Sequence, residues 1–285
     1  MKIFINQEEQ SLFDKNGYVK LKLLSDQAVD RLFEIYSSYK NQHIQLDSKF
    51  HTTSDTSNKS LIREVNNLIK PIIQEETYKI FQPHNSFISN FMIKEPGHNS
   101  LVSAHQDWTY VDESKFFSGN IWCSLHNTSY KNGCMFFLPK SHNFCNSLRI
   151  SPSYISYYES LRNEIPKYAT YEPTKKGEGF LINHAVIHGS SENISSNSRV
   201  AVVLGIYSKN AQLTHYFKPK INENLIEKYH IGIEDMINLE KDRSPTNLSP
   251  VSNTEHTFQE KNKSSIKKKL FSKKRLLINK FLGYH

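Results

Sequence analysis

Between residues 87 and 208 the chain breaks into short apolar or aromatic runs separated by turn residues, and this texture limits the folds open to it. Residues 87–94 run into Glu95-Pro96-Gly97. Residues 119–127 are followed by Lys131-Asn132-Gly133, which turns into 134–138. Residues 179–183, 186–190 and 199–208 close the series. Runs of this length, bounded by Gly, Pro and Asn, read as β-strands.

The first 80 residues have a helical texture instead. Asn6 can cap a helix over 7–14, with acids in its first turn and Gly17 beyond its end. Residues 18–23 alternate as a strand. Ser25 can cap a second helix whose Val29, Leu32, Phe33 and Tyr36 form one stripe. Residues 41–57 are polar and aperiodic, as a loop would be. Leu61, Ile62, Val65, Leu68 and Ile69 mark a third helix, which Pro71 is expected to break or kink before it continues towards Phe81. Residues 143–178 read as irregular and Tyr-rich (Tyr154, Tyr157, Tyr158, Tyr168, Tyr171), with a short helix near 154–163; these tyrosines would form a lid or pack the barrel mouth. Residues 223–240 read as a helix and 242–262 as a polar linker.

Short strands after a helical preface give a mainly β fold with flanking helices: a double-stranded β-helix (jelly roll, cupin-like) with the N-terminal helices packed outside. The expected organisation is a domain over 1–240, a linker over 241–262 and a basic tail over 263–285.

The net charge of +8 invites a nucleic-acid reading, but it is localised. Residues 260–285 hold nine Lys/Arg against one acid, which leaves 27 basic and 27 acidic residues elsewhere. A neutral body offers no basic stripe for nucleic acid. In the tail, Ile266, Leu270, Leu277 and Phe281 fall near one side of a helix, a pattern suited to an anionic membrane surface or an acidic partner, or else to a solvated tail. Cys123, Cys134 and Cys145 show no paired or metal-knuckle spacing and suit buried thiols in a reducing compartment. The first residues turn polar too soon for a secretory signal and no run is long enough to span a bilayer, so a cytoplasmic protein, monomeric or weakly dimeric, is expected.

Within the strand series, residues 105–110 carry His105-Gln106-Asp107. Side chains at i and i+2 of a strand leave the same face, so the His105 imidazole and the Asp107 carboxylate would meet. His188, from a distant strand, could complete a two-His, one-carboxylate face, a set suited to Fe(II) with open coordination positions. His184 is the competing candidate, four residues earlier. The Gly-Ser after His188 and its spacing to Arg199 favour His188. Arg199 begins an otherwise apolar strand, so its guanidinium is buried and needs an anion, for which a carboxylate is the natural match. Ser190 shares a strand face with His188 and could bind the same carboxylate.

These blocks together resemble the phytanoyl-CoA dioxygenase family of Fe(II)- and 2-oxoglutarate-dependent oxygenases. The likeness covers Phe13-Asp-Lys-Asn-Gly17-Tyr-Val, Met92-Ile-Lys94-Glu-Pro96-Gly97, His105-Gln106-Asp107 and Trp122. It continues through Asn132-Gly133-Cys134, Leu138-Pro139-Lys140-Ser141-His142 and His188-Gly189-Ser190 to Asn193, Ser195 and Arg199. Lys140 stands where the family usually has Gly. The resemblance implies that His105, Asp107 and His188 are the iron ligands, and that Arg199 and Ser190 hold the far carboxylate of 2-oxoglutarate. Trp122 and Asn90 match cosubstrate-pocket positions, though Asn90 is not the usual residue there and Trp122 would serve equally as core. His142 reads as a turn residue, as one that supports the site, or as one that meets substrate.

The activity implied is hydroxylation or desaturation of a small organic substrate of a lipid-like, acyl or secondary-metabolite kind, free or carrier- or CoA-tethered, with consumption of O2 and release of succinate and CO2. Related halogenases have a small residue where this chain has Asp107, so hydroxylation is favoured over halogenation. The competing readings are a non-catalytic metal- or ligand-binding barrel and an oxygenase acting on a protein side chain.

Overall fold

The computed structural model describes residues 1–40, 49–145, 147–150, 158–219, 225–240 and 243–255. The expected tail over 263–285, the tyrosines Tyr154 and Tyr157 and residues 41–48 of the expected 41–57 loop lie outside the described residues; the described part of that loop holds a short strand, Phe50–Thr52.

The N-terminal helices start and stop where their capping residues dictate. Helix α1 (Gln7–Asn16) opens on Asn6, whose side chain accepts the amides of Glu8 at 2.7 Å and Glu9 at 3.3 Å. It closes at Gly17, which takes a left-handed φ of 82° and donates its N–H to Phe13 O. After strand β1 (Tyr18–Lys22), the Ser25 hydroxyl accepts the Ala28 amide at the head of α2 (Asp26–Lys40). Strand β2 (Phe50–Thr52) is short. Helix α3 (Lys59–Thr77) runs as one element through Pro71, where a break or kink was expected. Leu61, Ile62, Val65, Ile69, Ile72 and Ile73 are all buried along it. Burying that stripe, at roughly 1.5–3 kcal/mol per side chain, outweighs the ~3 kcal/mol cost of an interior proline.

The strand series follows as β3 (His84–Lys94), β4 (Val102–His105), β5 (Ser118–Ser124), β6 (Met135–Leu138), β7 (Thr170–Glu172), β8 (Glu178–Asn183), β9 (Ile187–Ser190) and β10 (Arg199–Ser208). They form two antiparallel sheets, β1-β8-β5-β10-β3-β2 and β4-β9-β6-β7, arranged as a double-stranded β-helix. Alternation along each strand sets its environment. On β10, Arg199, Ala201 and Val203 point between the sheets, while Val200, Val202, Leu204 and Ile206 meet the helices outside. Both faces of β10 are therefore covered, which is why its sequence is an almost unbroken apolar run. The interior is filled by Tyr18, Trp122, Met135, Phe137, Phe180 and Ile182, with Tyr18 stacked on Phe137 at 3.9 Å between ring centroids.

The region beyond β10 differs from expectation. Residues 223–240, read as a helix, hold strand β12 (Leu225–His230) and a shorter helix α4 (Ile233–Asn238). With β11 (Thr214–Phe217) and β13 (Ser252–Glu255), β12 makes a three-stranded sheet, so the stretch read as a linker supplies a strand. The physical reason is pairing: Leu225 to Lys228 hydrogen-bond in register with 252–255, and Ile226, Tyr229 and Ile231 are buried. The short helix expected near 154–163 survives only as a 3-10 turn, Glu159–Leu161, among the described residues.

Candidate active site

The expected strand over 105–110 ends at His105, so Asp107 lies beyond the pairing. The two side chains nevertheless converge, because the backbone past β4 is held by three separate ties. The Asp107 amide donates to His184 O at 3.0 Å. The buried Gln106 amide donates to Cys145 O and Ala185 O. The Asp107 carbonyl accepts from Arg149 Nε at 2.7 Å. Strand β9 brings His188 opposite His105 in register, with 4.3 Å between ring centroids.

Asp107 Oδ1 is 3.8 Å from His105 Nε2, and Asp107 Oδ2 is 3.8 Å from His188 Nε2. One donor atom from each of these residues falls within 4.8 Å of the others. Each imidazole is oriented by its far nitrogen: His105 Nδ1 donates to Ser103 O at 2.8 Å and His188 Nδ1 to Val186 O at 3.0 Å. A carbonyl can only accept, so both Nδ1 atoms carry a proton and each Nε2 is the nitrogen left facing Asp107. A metal–nitrogen or metal–oxygen bond is about 2.1 Å long, so a 3.8 Å gap accommodates an ion between donors.

The charges agree with this geometry. Burial alone would raise Asp107, but His188, His184, His105 and Arg149 outweigh it and hold the carboxyl below its usual range. Desolvation of the ring, then the neighbouring His188, brings His105 down to about 4, although its outer edge leaves 37% of the side chain open to solvent. An ionised carboxylate beside a neutral imidazole is the protonation state that a metal requires.

Behind the triad a cavity of about 120 Å³ is lined by Asp107, Asn120, Trp122, His188, Ser190 and Arg199, among others. Arg199 is 2% exposed, and its Nε and Nη1 have no hydrogen-bond partner among the described residues. Burial lowers it to about 10. Trp122, also 2% exposed, places its ring 5.4 Å from the guanidinium carbon. Ser190 lines the cavity, and its carbonyl accepts from the buried Lys94 Nζ at 3.3 Å. Asn90 stands opposite Val203 on β3; its Oδ1 is buried without a donor, and the side chain lies outside the cavity lining.

Residues 13–201 match the family described as Phytanoyl-CoA dioxygenase (PhyH). The chain belongs to this family. Among curated proteins it is similar to "Phytanoyl-CoA dioxygenase domain-containing protein 1" of Danio rerio, 30% identical over 119 residues, covering 39% of this chain and 40% of that protein. The Mus musculus protein of the same name is 31% identical over 120 residues, covering 40% and 41% respectively. These matches span less than half the length of the curated relatives. Among solved structures, the non-haem α-ketoglutarate-dependent carbocyclase SnoK from nogalamycin biosynthesis superposes with a TM-score of 0.52 at 16% identity, covering 73% of this chain and 86% of that one. That likeness is one of fold.

Fe(II) and 2-oxoglutarate are the cofactor and cosubstrate of this family, and the donor set fits both. Two imidazole nitrogens and an ionised carboxylate suit Fe(II). The unpartnered guanidinium at the cavity floor suits a carboxylate.

His184, the competing ligand candidate, is fully buried behind the site; its Nδ1 meets Ser118 Oγ at 2.9 Å and its carbonyl holds Asp107. His142 packs against the end of α1, with Nε2 3.2 Å from Asp14 O, away from the triad cavity. Sequence reasoning passed over Asn120 and Arg149. Asn120 was within reach, since it lies two residues before Trp122 and shares its strand face. Arg149 carried no signal, because its partners Glu113 and Asp107 are brought near by folding alone.

Proposed function

We propose that the chain is an Fe(II)- and 2-oxoglutarate-dependent oxygenase that oxidises a C–H bond of a small organic substrate, by hydroxylation or desaturation, releasing succinate and CO2. One observation carries the reading: the His105, Asp107 and His188 donors converge beside a cavity whose floor is a buried Arg199 lacking an anion. A barrel that only bound a metal would have no use for that floor.

In this reading His105, Asp107 and His188 hold Fe(II), which when bound supplies O2 activation coupled to oxidative decarboxylation of 2-oxoglutarate. The rest is the work of side chains. The Ser103 and Val186 carbonyls keep both imidazoles aimed. Arg199 and Ser190 anchor the far carboxylate, which fixes how deep the cosubstrate sits. Trp122, Met92, Val203 and Ile182 wall the cavity and exclude water. His105, with its open edge, marks the side from which substrate approaches.

Anaerobic titration of Fe(II) and 2-oxoglutarate into the apoprotein tests the reading. A visible metal-to-ligand charge-transfer band is expected, lost in Asp107→Ala. A folded wild-type protein without that band would overturn it. Within this reading, a carrier- or CoA-tethered substrate and a role for the basic 260–285 segment in meeting an anionic surface are finer proposals. Removal of that segment is expected to reduce turnover of the tethered form and to spare the free acid; equal effects on both would sink the idea.

A further inference from the structure

Asp107 presents its two oxygens almost evenly to the two histidines, each 3.8 Å from an Nε2. Nothing in that pair of distances says which oxygen a metal would take, or whether it would take both. Asn120 breaks the symmetry. It stands on β5 facing the cavity, two residues from Trp122, and donates Nδ2–H to Asp107 Oδ2 at 3.0 Å. No corresponding donor to Oδ1 is found among the described residues. The strand that carries Asn120 is fixed on both sides, paired with Ile182 on β8 and Gly205 on β10, so the amide reaches Asp107 from a held backbone.

An oxygen that accepts a hydrogen bond is the weaker metal donor of the two, and its lone pair is partly committed. The backbone of Asp107 is pinned as well, by His184 O at its amide and by Arg149 at its carbonyl. Rotation about the side-chain bonds is the freedom that remains, and Asn120 limits it.

We propose that Asn120 is a positioning residue that holds Asp107 as a one-oxygen ligand through Oδ1, so that a coordination position stays open for O2. This rests on the iron reading above. A carboxylate that closed on the metal with both oxygens would take up the place left after two histidines and a chelating 2-oxoacid. The site would then bind metal and cosubstrate well and gas poorly. Asn120 thus acts on the third partner and leaves the first two largely alone.

The test uses the full chain loaded anaerobically with Fe(II) and 2-oxoglutarate, with nitric oxide as the probe for the open position, read by electron paramagnetic resonance. Asn120→Ala removes the donor, and Asn120→Leu removes it at nearly constant shape without adding a charge. Thermal unfolding confirms that each variant is folded, and two variants of different size guard against loss of either. At saturating Fe(II), both are expected to keep the charge-transfer band and 2-oxoglutarate affinity, and to bind nitric oxide about tenfold or more weakly, within the range that support of a metal ligand commands. A general loosening of the site would weaken 2-oxoglutarate and nitric oxide together, and that result would overturn the proposal. Unchanged nitric oxide affinity in both variants would also overturn it. A wild-type protein with no band would instead remove the iron reading, and the inference with it.

Discussion

The guanidinium carbon of Arg199 sits 5.4 Å from the centre of the Trp122 ring, yet its Nε and Nη1 meet no acceptor. A fully buried cation lacking an anion raises the free energy of the empty protein, and it gives the cavity an affinity for a carboxylate. Replacing it with Arg199→Met, close in length and apolar, should have opposite effects on the two states. The empty protein should become more stable by about 1–3 kcal/mol, since uncompensated burial of charge is relieved. Binding of 2-oxoglutarate should weaken by about 2–5 kcal/mol, the cost of breaking a buried charged pair. Denaturant melts of the apoprotein and calorimetric titration of the cosubstrate measure both. If the variant were less stable and still bound normally, the assignment of Arg199 would be wrong.

Arg149 ties together a segment that no strand holds. It is fully buried, pairs with Glu113 through both terminal nitrogens and donates Nε to the Asp107 carbonyl. Arg149→Met would leave Glu113 half-buried and unpaired, and would free the carbonyl of a proposed metal ligand. A loss of about 3–5 kcal/mol in stability is expected from breaking such a pair. Adding Glu113→Gln should restore part of that loss, because the stranded charge is gone, while metal affinity stays weak in both. A double-mutant cycle with strictly additive effects would show that the pair does not act as a unit.

The contrast between Arg199 and Arg149 shows what the sequence could and could not disclose. Arg199 opens an apolar strand whose period places it inside, so burial and the need for an anion follow from local pattern. His105, Asp107 and His188 were legible through motif and spacing, although Asp107 reaches its place from an irregular stretch past the end of β4 and the same-face strand argument does not account for it. Arg149 sits in an irregular stretch and owes its role to Glu113 and Asp107, which only tertiary folding brings near. The β12 segment misled for a related reason. Its residues carry a helical stripe, and pairing with 252–255 overrides it. Strands paired to distant partners are the elements a local reading loses first.

His215 offers a pH signature apart from the metal site. It is 4% exposed on β11, among Trp108, Phe217 and Tyr229, with Nε2 unpartnered, and burial brings it from 6.5 to about 4. The folded state therefore refuses a proton that the unfolded chain accepts. Stability is complete above the unfolded value, falls as pH drops from 6.5, and levels off below about 4. His215→Phe keeps the aromatic packing and removes the titration. Urea melts across that window should show a shallower acid slope in the variant, by up to about 1.4 kcal/mol per pH unit. The slope will not vanish, since burial lowers His184 and His105 in the same direction. An unaltered slope would mean that His215 is hydrated in solution.

Lys140 takes a backbone conformation that favours glycine. Its φ is 70°, in the left-handed region that a side chain disfavours, and it leads into the turn Ser141–Asn143. The conformation is imposed from outside. The Lys140 amide donates to Asn16 O at 2.9 Å, at the end of α1, and its carbonyl accepts from the Asn143 amide at 3.1 Å. Lys140→Gly relieves the clash between Cβ and the carbonyl oxygen, worth roughly 1–2 kcal/mol, against the greater freedom that glycine gives the unfolded chain. The net expectation is a gain of about 0.5–1 kcal/mol, read as a small rise in the unfolding midpoint with an unchanged denaturant slope. The side chain itself meets no resolved partner among the described residues, so nothing else is lost with it. Lys140→Ala separates the two effects: it keeps the strain and should leave stability near that of the wild type. Equal gains from Gly and Ala would move the cause from the backbone to the lysine charge.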